Sequence, residues 1–453
     1  MKKSHTLGRI WSQLKAQPEV PAISDPKEVD RIYRHWRKRV AIATFIGYVV
    51  FYLCRKNISA ALPAMSAELG YSNTELGLLG SALYITYAIG KFVNGVFGDQ
   101  ANLRYFSAIG LFLSALCCIM MGVSGSLFAL AFFWGLNGWF QSMGNPPFAR
   151  AMCHWFTISE RGTKFGIWST CHQVGTWIIM VSGGFIIASF GWRMIFYIPA
   201  AIGILTAIGL VIALRDTPES MGLPHVEKYK HDKLIDEASS RKFEHETEHE
   251  GFRKIFVHQI LLNKFIWLCS FINIAVYIVR FGTLDWATKF LVEQKGCTIG
   301  FASLEASMIP LFGIVGMILA GWMSDRIFKA RRGPATVIFF IGTALSIVAM
   351  YFVPNGWNVT ESIVLGLIGF FTYGPQFLIS GAAALDFGSR KAAATATGFI
   401  GTFGYAGAAL SSLGSGVLID KYSWLGGILF WAGAAVVGAL LTALMWNAKP
   451  KHM

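Results

Sequence analysis

Charge is what this sequence has least of. Asp, Glu, Lys and Arg make up 14% of its 453 residues, against roughly a quarter in ordinary globular domains. So sparse a supply cannot cover the surface of a soluble enzyme, and a mean hydropathy of +0.51 points the same way. Cysteine is scarce and badly placed for a disulfide framework. Of seven, six (Cys54, Cys117, Cys118, Cys153, Cys171 and Cys269) fall in or beside apolar runs, only Cys297 lies in an outer loop, and no CxxC occurs. No apolar h-region follows Lys2 and Lys3 before Val40, so no cleavable signal peptide is expected and the first apolar run must direct insertion. A nucleotide-binding phosphate loop is missing as well. Gly90-Lys91 is followed by Phe92 rather than Ser or Thr, and no earlier glycine is correctly spaced, which leaves ATP-driven transport without support.

What is present is apolar length. Hydrophobic residues, 54% of the chain, lie in blocks of about twenty, the length that crosses a bilayer as a helix. Twelve such blocks are expected as spans 1 to 12: 40–63, 74–97, 104–123, 127–149, 165–187, 192–214, 264–289, 301–323, 335–353, 362–385, 392–418 and 424–446. The 48 glycines and 36 phenylalanines suit packed membrane helices, where small residues let backbones approach. The expected class is an all-α membrane protein of twelve transmembrane helices.

The net charge of +14 could suggest nucleic acid, but its distribution is topological. With the N-terminus inside, cytoplasmic segments hold 31 of the 39 Lys and Arg, and outer loops hold four (Arg193, Lys289, Lys295 and Lys421). That asymmetry places both termini in the cytoplasm. The stretch from Arg31 to Arg39 is expected to meet anionic lipid headgroups.

The spans divide six and six. The expected organisation is a cytoplasmic segment 1–39, a six-helix bundle 40–214, a hydrophilic linker 215–257, a second bundle 258–446 and a tail 447–453. Within the linker, Glu244-His245-Glu-Thr-Glu-His249-Glu250 has a helical metal-binding spacing but sits among like charges, and reads as a solvated segment. No metal and no cofactor are expected. The halves repeat each other. Arg55 to Asp99 is 44 residues and Arg280 to Asp325 is 45, and each aspartate closes Gly-x-x-x-Asp, at Gly95 and Gly321. Asn145-Pro146-Pro147 in span 4 answers Gly374-Pro375 in span 10, and Gly166 and Gly175 mirror Gly398 and Gly407. The offset drifts only from 225 to 232. Such parallel repeats with a site between them are a secondary-transporter design.

Four cations fall inside spans: Arg55, Lys56, Lys91 and Arg280. An intramembrane charge is expensive and marks function by default. One reading pairs each arginine with a carboxylate to hold helices together, with Asp285, five residues past Arg280, as partner. The other notes that Asp285 is the only acid well inside a span, Glu305 and Asp386 lying near ends. A cationic centre short of carboxylates wants an anionic ligand, and guanidinium forks match phosphate or carboxylate. His172, in span 5, could donate to such a ligand or titrate beside it. Tyr48, Tyr52, Tyr87, Tyr373 and Tyr405 could line a polar cavity or simply pack. Asp99 with Arg104, and Asp325 with Arg326, suit gate latches.

Several stretches are more specific: Tyr52-Leu-Cys-Arg-Lys-Asn57, Tyr87-Ala-Ile-Gly-Lys91-Phe, Gly138-Trp-Phe-Gln-Ser-Met-Gly-Asn-Pro-Pro147, Tyr277-Ile-Val-Arg280-Phe-Gly, Asp285-Trp286 and Tyr373-Gly-Pro-Gln376. On these the chain resembles, from about Val29 to Met445, the major facilitator superfamily and within it the organophosphate:inorganic phosphate antiporters. It looks most like the bacterial hexose-phosphate branch, which includes carriers and a closely similar membrane sensor. The resemblance implies phosphate binding by Arg55, Arg280, Lys91 and His172. It implies a cavity lined by Tyr48, Tyr52, Tyr87, Trp139, Gln141, Ser169, Asp285, Tyr373 and Tyr405, and a monomeric inner-membrane protein working by rocker-switch. Three positions depart from the family pattern: span 5 reads Ser169-Thr-Cys-His172-Gln173, Pro310 stands where a glutamate is usual, and Thr397 and Ile400 replace a charged pair. The expected activity is exchange of a sugar phosphate, glucose 6-phosphate foremost, for inorganic phosphate. A phosphate-ester sensor signalling to a kinase, a glycerol 3-phosphate carrier and a proton-coupled symporter using Asp285 are the alternatives.

Overall fold

The computed structural model describes residues 14–230, 260–329, 331–356, 358–383 and 393–448. Most of the expected linker, with its histidine pair, and the segment holding Asp386 lie outside the described residues, as does the side chain of Asp99.

Each span is seen, several in altered form. Span 1 is a 44-residue helix, Pro26–Leu69, that starts well before the apolar run. Asp25 accepts from the Lys27 amide at 2.9 Å and a proline fills the first turn, a proper start for a helix. Span 2, Asn73–Gln100, opens with a Ser72/Glu75 capping box. Span 3 is Leu103–Val123 and span 6 is Met194–Ala213. Span 4 is broken into Leu127–Gln141 and Asn145–Trp155, because Pro146 and Pro147 lack the donors a continuous helix needs. Span 5 breaks between Ile158–Trp168 and Cys171–Phe190. In the second half, span 7 is Lys264–Lys295 and span 9 is Arg332–Phe352. Span 8 runs Ile299–Ala306, Met308–Trp322 and a π turn Met323–Ile327. Span 10 is Asn358–Gln376, followed by a π segment Phe377–Ala383. Spans 11 and 12 join in one element, Ala393–Ala443, kinked where Ser423 takes φ 56°. The bundle wears its apolar residues outside: Phe128 is 83% exposed and Val359 75%. Large bare hydrophobes on helices of this length belong against lipid tails.

The spans begin alternately at two faces. The odd-numbered spans start at the face rich in Lys and Arg, called here the basic face; the even ones start at the far face. At the far face the halves are zipped together. Asp420 of span 11 accepts from the amide (3.1 Å) and side chain (2.9 Å) of Asn73, and from the amide (2.7 Å) and hydroxyl (2.6 Å) of Thr74. A carboxylate from one half thus serves the first turn of a helix in the other, where it meets the positive end of the helix dipole. Deeper in, Ser412 donates to Gly77 O at 3.0 Å and Ser81 to Ala409 O at 2.7 Å. Spans 5 and 8 meet through Ser303, which donates to Met180 O at 2.6 Å. Their contact depends on Gly184, where an added Cβ would sit 2.7 Å from the Gly300 backbone.

At the basic face the helix ends stand apart. Residues 163–167 of span 5 are exposed in succession, and five consecutive residues cover every side of a helix. A Cβ added at Gly95, Gly166 or Gly398 would meet nothing within 4 Å. The halves are closed at the far face and splayed at the basic one.

The start of the expected linker folds onto the first half. Asp216 accepts from Gln17 N (2.9 Å) and Leu103 N (3.2 Å), and Arg150 approaches it at 3.4 Å. Tyr33 stacks on Tyr229, centroids 4.0 Å apart. Residues 215–230 are therefore a cap on the first bundle rather than free linker.

Candidate functional site

Arg55 lies mid-span in helix 1, 2% exposed, and is held by rings rather than acids. Its guanidinium carbon is 4.1 Å from the Tyr87 centroid, 5.3 Å from those of Tyr52 and Tyr405, and 6.0 Å from that of Tyr84. All four lie within the range in which a ring face attracts a cation. Nε and Nη2 of Arg55 are buried without a hydrogen-bond partner. Arg280 of span 7 repeats the pattern: 3% exposed, 4.8 Å from Phe281, 5.0 Å from Tyr373 and 5.9 Å from Tyr277, with a buried, unpartnered Nε. A chain of rings links the two arginines, since Tyr405 lies 5.3 Å from Tyr277.

Asp285 does not serve Arg280. It pairs across the halves with Lys56, Nζ to Oδ1 2.5 Å, accepts from Ser59 at 3.0 Å, and also accepts from the Tyr84 hydroxyl, which lies 2.9 Å from the Lys56 amine. The physical reason is helical geometry. Five residues turn a helix by about 500°, so Asp285 projects some 140° away from Arg280. Lys56, one residue after Arg55, points about 100° away from it, out of the tyrosine cage and toward the other half. Lys56 was read from sequence only as an intramembrane cation; its pairing with Asp285, and its neighbours Tyr84 and Ser59, were not. The available signal was that Asp285 was the only deep acid, and that a fourth intramembrane cation stood next to Arg55.

The other expected residues are distributed as follows. Lys91 reaches toward span 11, 5.5 Å from the Tyr405 ring, and a Cβ at Gly401 would lie 3.0 Å from its Nζ. His172 is half-buried with its ring 5.6 Å from that of Tyr52. Tyr48 stacks on Trp168 at 5.3 Å and touches Tyr52 at 5.4 Å, so His172 joins the Arg55 cage through Tyr52. Ser169 closes the break in span 5, its amide donating to Phe165 O at 2.8 Å. Gln141 is turned to structural use: its amide donates to Phe51 O at 2.9 Å and to Ser114 at 2.8 Å, tying spans 1, 3 and 4. The half-buried Trp139 offers its carbonyl to Ser142 at 2.6 Å. Glu305 lies elsewhere, buried near the far face with Glu361 and Cys297, donor atoms within 4.8 Å of one another. Of the latch residues, Asp325 pairs with Arg332 of its own half at 2.5 Å, Arg326 is exposed, and Arg104 donates to Val211 O.

Twelve membrane helices in two pseudo-symmetric halves, with buried cations between them, define a secondary-transporter fold. The sequence profile of the Major Facilitator Superfamily matches residues 44–412. The chain belongs to that superfamily, and within it to the organophosphate:phosphate antiporter branch; it is a multi-pass membrane protein and not an enzyme. It is 39% identical over 98% of both chains to a "Probable hexose phosphate transport protein" of Chlamydia trachomatis. It is 40% identical, over 96% of this chain and 97% of the other, to a "Glycerol-3-phosphate transporter" of Bacillus subtilis. To the "Membrane sensor protein UhpC" of Escherichia coli it is 36% identical over 96% of this chain and 98% of the other.

Proposed function

We propose that this chain is an inner-membrane antiporter that exchanges a sugar phosphate of the glucose 6-phosphate class for inorganic phosphate. The observation that carries the reading is the pair of buried, ring-caged guanidiniums with unpartnered N–H groups, one in each half. Tyrosine faces make the cations tolerable without neutralising them, and a phosphoryl group supplies both the charge and the acceptors they lack. Arg55 and Arg280 each grip the phosphoryl group from their own half, while Lys91 and His172 stand at the edge of the same cage. The positive-inside bias makes the basic face cytoplasmic with both termini, so the far-face zipper closes the outer side and the cavity opens inward. A bound dianion bridging the two arginines draws the inner ends together and favours the transition that opens the outer side. An empty site has no such bridge, hence exchange rather than leak. Phosphate-loaded proteoliposomes test this: labelled glucose 6-phosphate is expected to enter against unlabelled phosphate, and absence of flux overturns the carrier.

The identity with a membrane sensor over nearly the whole chain favours a second reading, a phosphate-ester receptor with the same site. Saturable binding of glucose 6-phosphate without counterflow decides for it. A panel of esters including glycerol 3-phosphate ranks the substrates.

A further inference from the structure

Away from the central cage, three arginines converge at the basic end of span 6 with no carboxylate paired to them among the described residues. Arg39 from span 1 donates to Ile212 O at 3.2 Å, Arg104 from span 3 donates to Val211 O, and Arg215 donates to Leu214 O at 2.8 Å. Two of them also crowd one ring: Arg215 lies 4.3 Å from the Trp36 centroid and Arg39 4.9 Å. Among the described residues none of the three pairs with an acid. The nearest acid in sequence, Asp216, is taken up by Arg150, Leu103 N and Gln17 N. Carbonyls at a helix C-terminus carry only a fraction of a negative charge, so the cluster keeps a net charge close to +3. Burial, and then the neighbouring Arg104 and Arg39, hold the Arg215 guanidinium below its ordinary pKa.

The cluster meets a groove between spans 1 and 6 at Arg39, the one member of the three that lines it; Arg39, Lys38 and His35 stand at the basic end of the groove, and Ile42, Ile46, Gly209 and Ala213 form its walls. It opens sideways: Ile42 is 57% exposed and Ile46 50%, where the bundle meets lipid. A soluble anion would use the cations and ignore the apolar trough. A hydrocarbon chain would use the trough and ignore the cations. One class of molecule has both parts in this order along the membrane normal.

We propose that this groove is a binding site for one anionic phospholipid of the leaflet on the basic side, its phosphate held by Arg39, Arg104 and Arg215 and an acyl chain laid along Ile42, Ile46 and Gly209. Because the three arginines come from span 1, span 3 and the segment that follows span 6, the lipid staples the basic end of the first half. The inference does not depend on which substrate the central cage takes.

Native mass spectrometry of the full-length protein, titrated with phosphatidylglycerol or with phosphatidylcholine of equal chain length, tests it. One phosphatidylglycerol is expected to be retained in preference to phosphatidylcholine. The triple variant Arg39→Gln/Arg104→Gln/Arg215→Gln is expected to weaken that retention on the order of a hundredfold, from about 1 kcal/mol per basic side chain near the surface. Gly209→Trp leaves every charge in place and puts bulk into the trough, starting from a position where a Cβ meets nothing within 4 Å. It is expected to weaken retention about tenfold, the loss of roughly two buried methylenes, and it carries the test if the triple variant misassembles. Equal retention of the two lipids, or unchanged retention in Gly209→Trp, overturns the proposal. So does displacement of the lipid by glycerol 3-phosphate, which would assign the arginines to a free phosphate ester.

Discussion

Arg55 and Lys56 are neighbours in sequence, almost equally buried at 2% and 1% exposed, and have opposite fates. Lys56 has a full counter-charge in Asp285 from the other half. Arg55 has rings and two orphaned nitrogens. A helix turns 100° per residue, and that single step separates a paired cation from an unpaired one. Pairing Lys56 ties the two halves together. On the proposed function, leaving Arg55 unpaired reserves its charge for a ligand. On that proposal buried charge is used twice, once to hold a state and once to answer a substrate.

The comparison is sharpest if the two sites can be broken separately. Removing the fork at the unpaired site is expected to have the largest effect. Arg55→Lys or Arg280→Lys keeps the charge but loses the planar bidentate donor, and each is expected to reduce phosphate exchange in proteoliposomes by about a hundredfold or more, on the scale of a lost charge-assisted pair. Wild-type exchange by Arg280→Lys would make that arginine structural.

Lys56→Met breaks the paired site instead. It strands a buried Asp285 in the closed far face, a cost of about 3 kcal/mol, and is expected to move the resting population toward the state open at the far face. Spectroscopic distance labels across the far ends of spans 2 and 11 would read the shift. The double variant Lys56→Met/Asp285→Asn removes the stranded charge and is expected to restore much of the closed population. If the single and double variants behave alike, the ion pair does not hold the far face.

Asp420→Asn loosens the same face by a smaller step. The carboxylate that serves Asn73 and Thr74 becomes an amide, and losing a charge-assisted cap of about 1 kcal/mol is expected to shift the same distances by a several-fold population change. The smallest expected effect returns to the cage. Tyr87→Phe keeps the ring 4.1 Å from Arg55 and loses only a hydroxyl, so exchange is expected to fall by about threefold or less, while Tyr87→Ala costs more because a cation–π contact of about 1–2 kcal/mol goes with the ring. Equal losses in the two variants would shift the role of Tyr87 from its face to its hydroxyl.

Twelve spans, their pseudo-repeat and the intramembrane cations could be read from the chain itself, because bilayer thickness and the cost of buried charge are written in local composition. The caps at Asp25 and Ser72 are local features too, but apolar length alone put the start of span 1 at residue 40, whereas the helix begins at Pro26. Which cation goes unpaired could not be read, because it depends on where a helix from the other half points. Asp285 answers Lys56 rather than Arg280 only once spans 1, 2 and 7 are packed. The same holds for Gln141, a cavity residue by resemblance and a tie between spans 1, 3 and 4 by its bonds. It holds again for Asp420, an ordinary loop-end acid until the other half lays a helix start beside it. Composition and periodicity act within one helix; partnership and closure arise between helices, and only the packed bundle decides them.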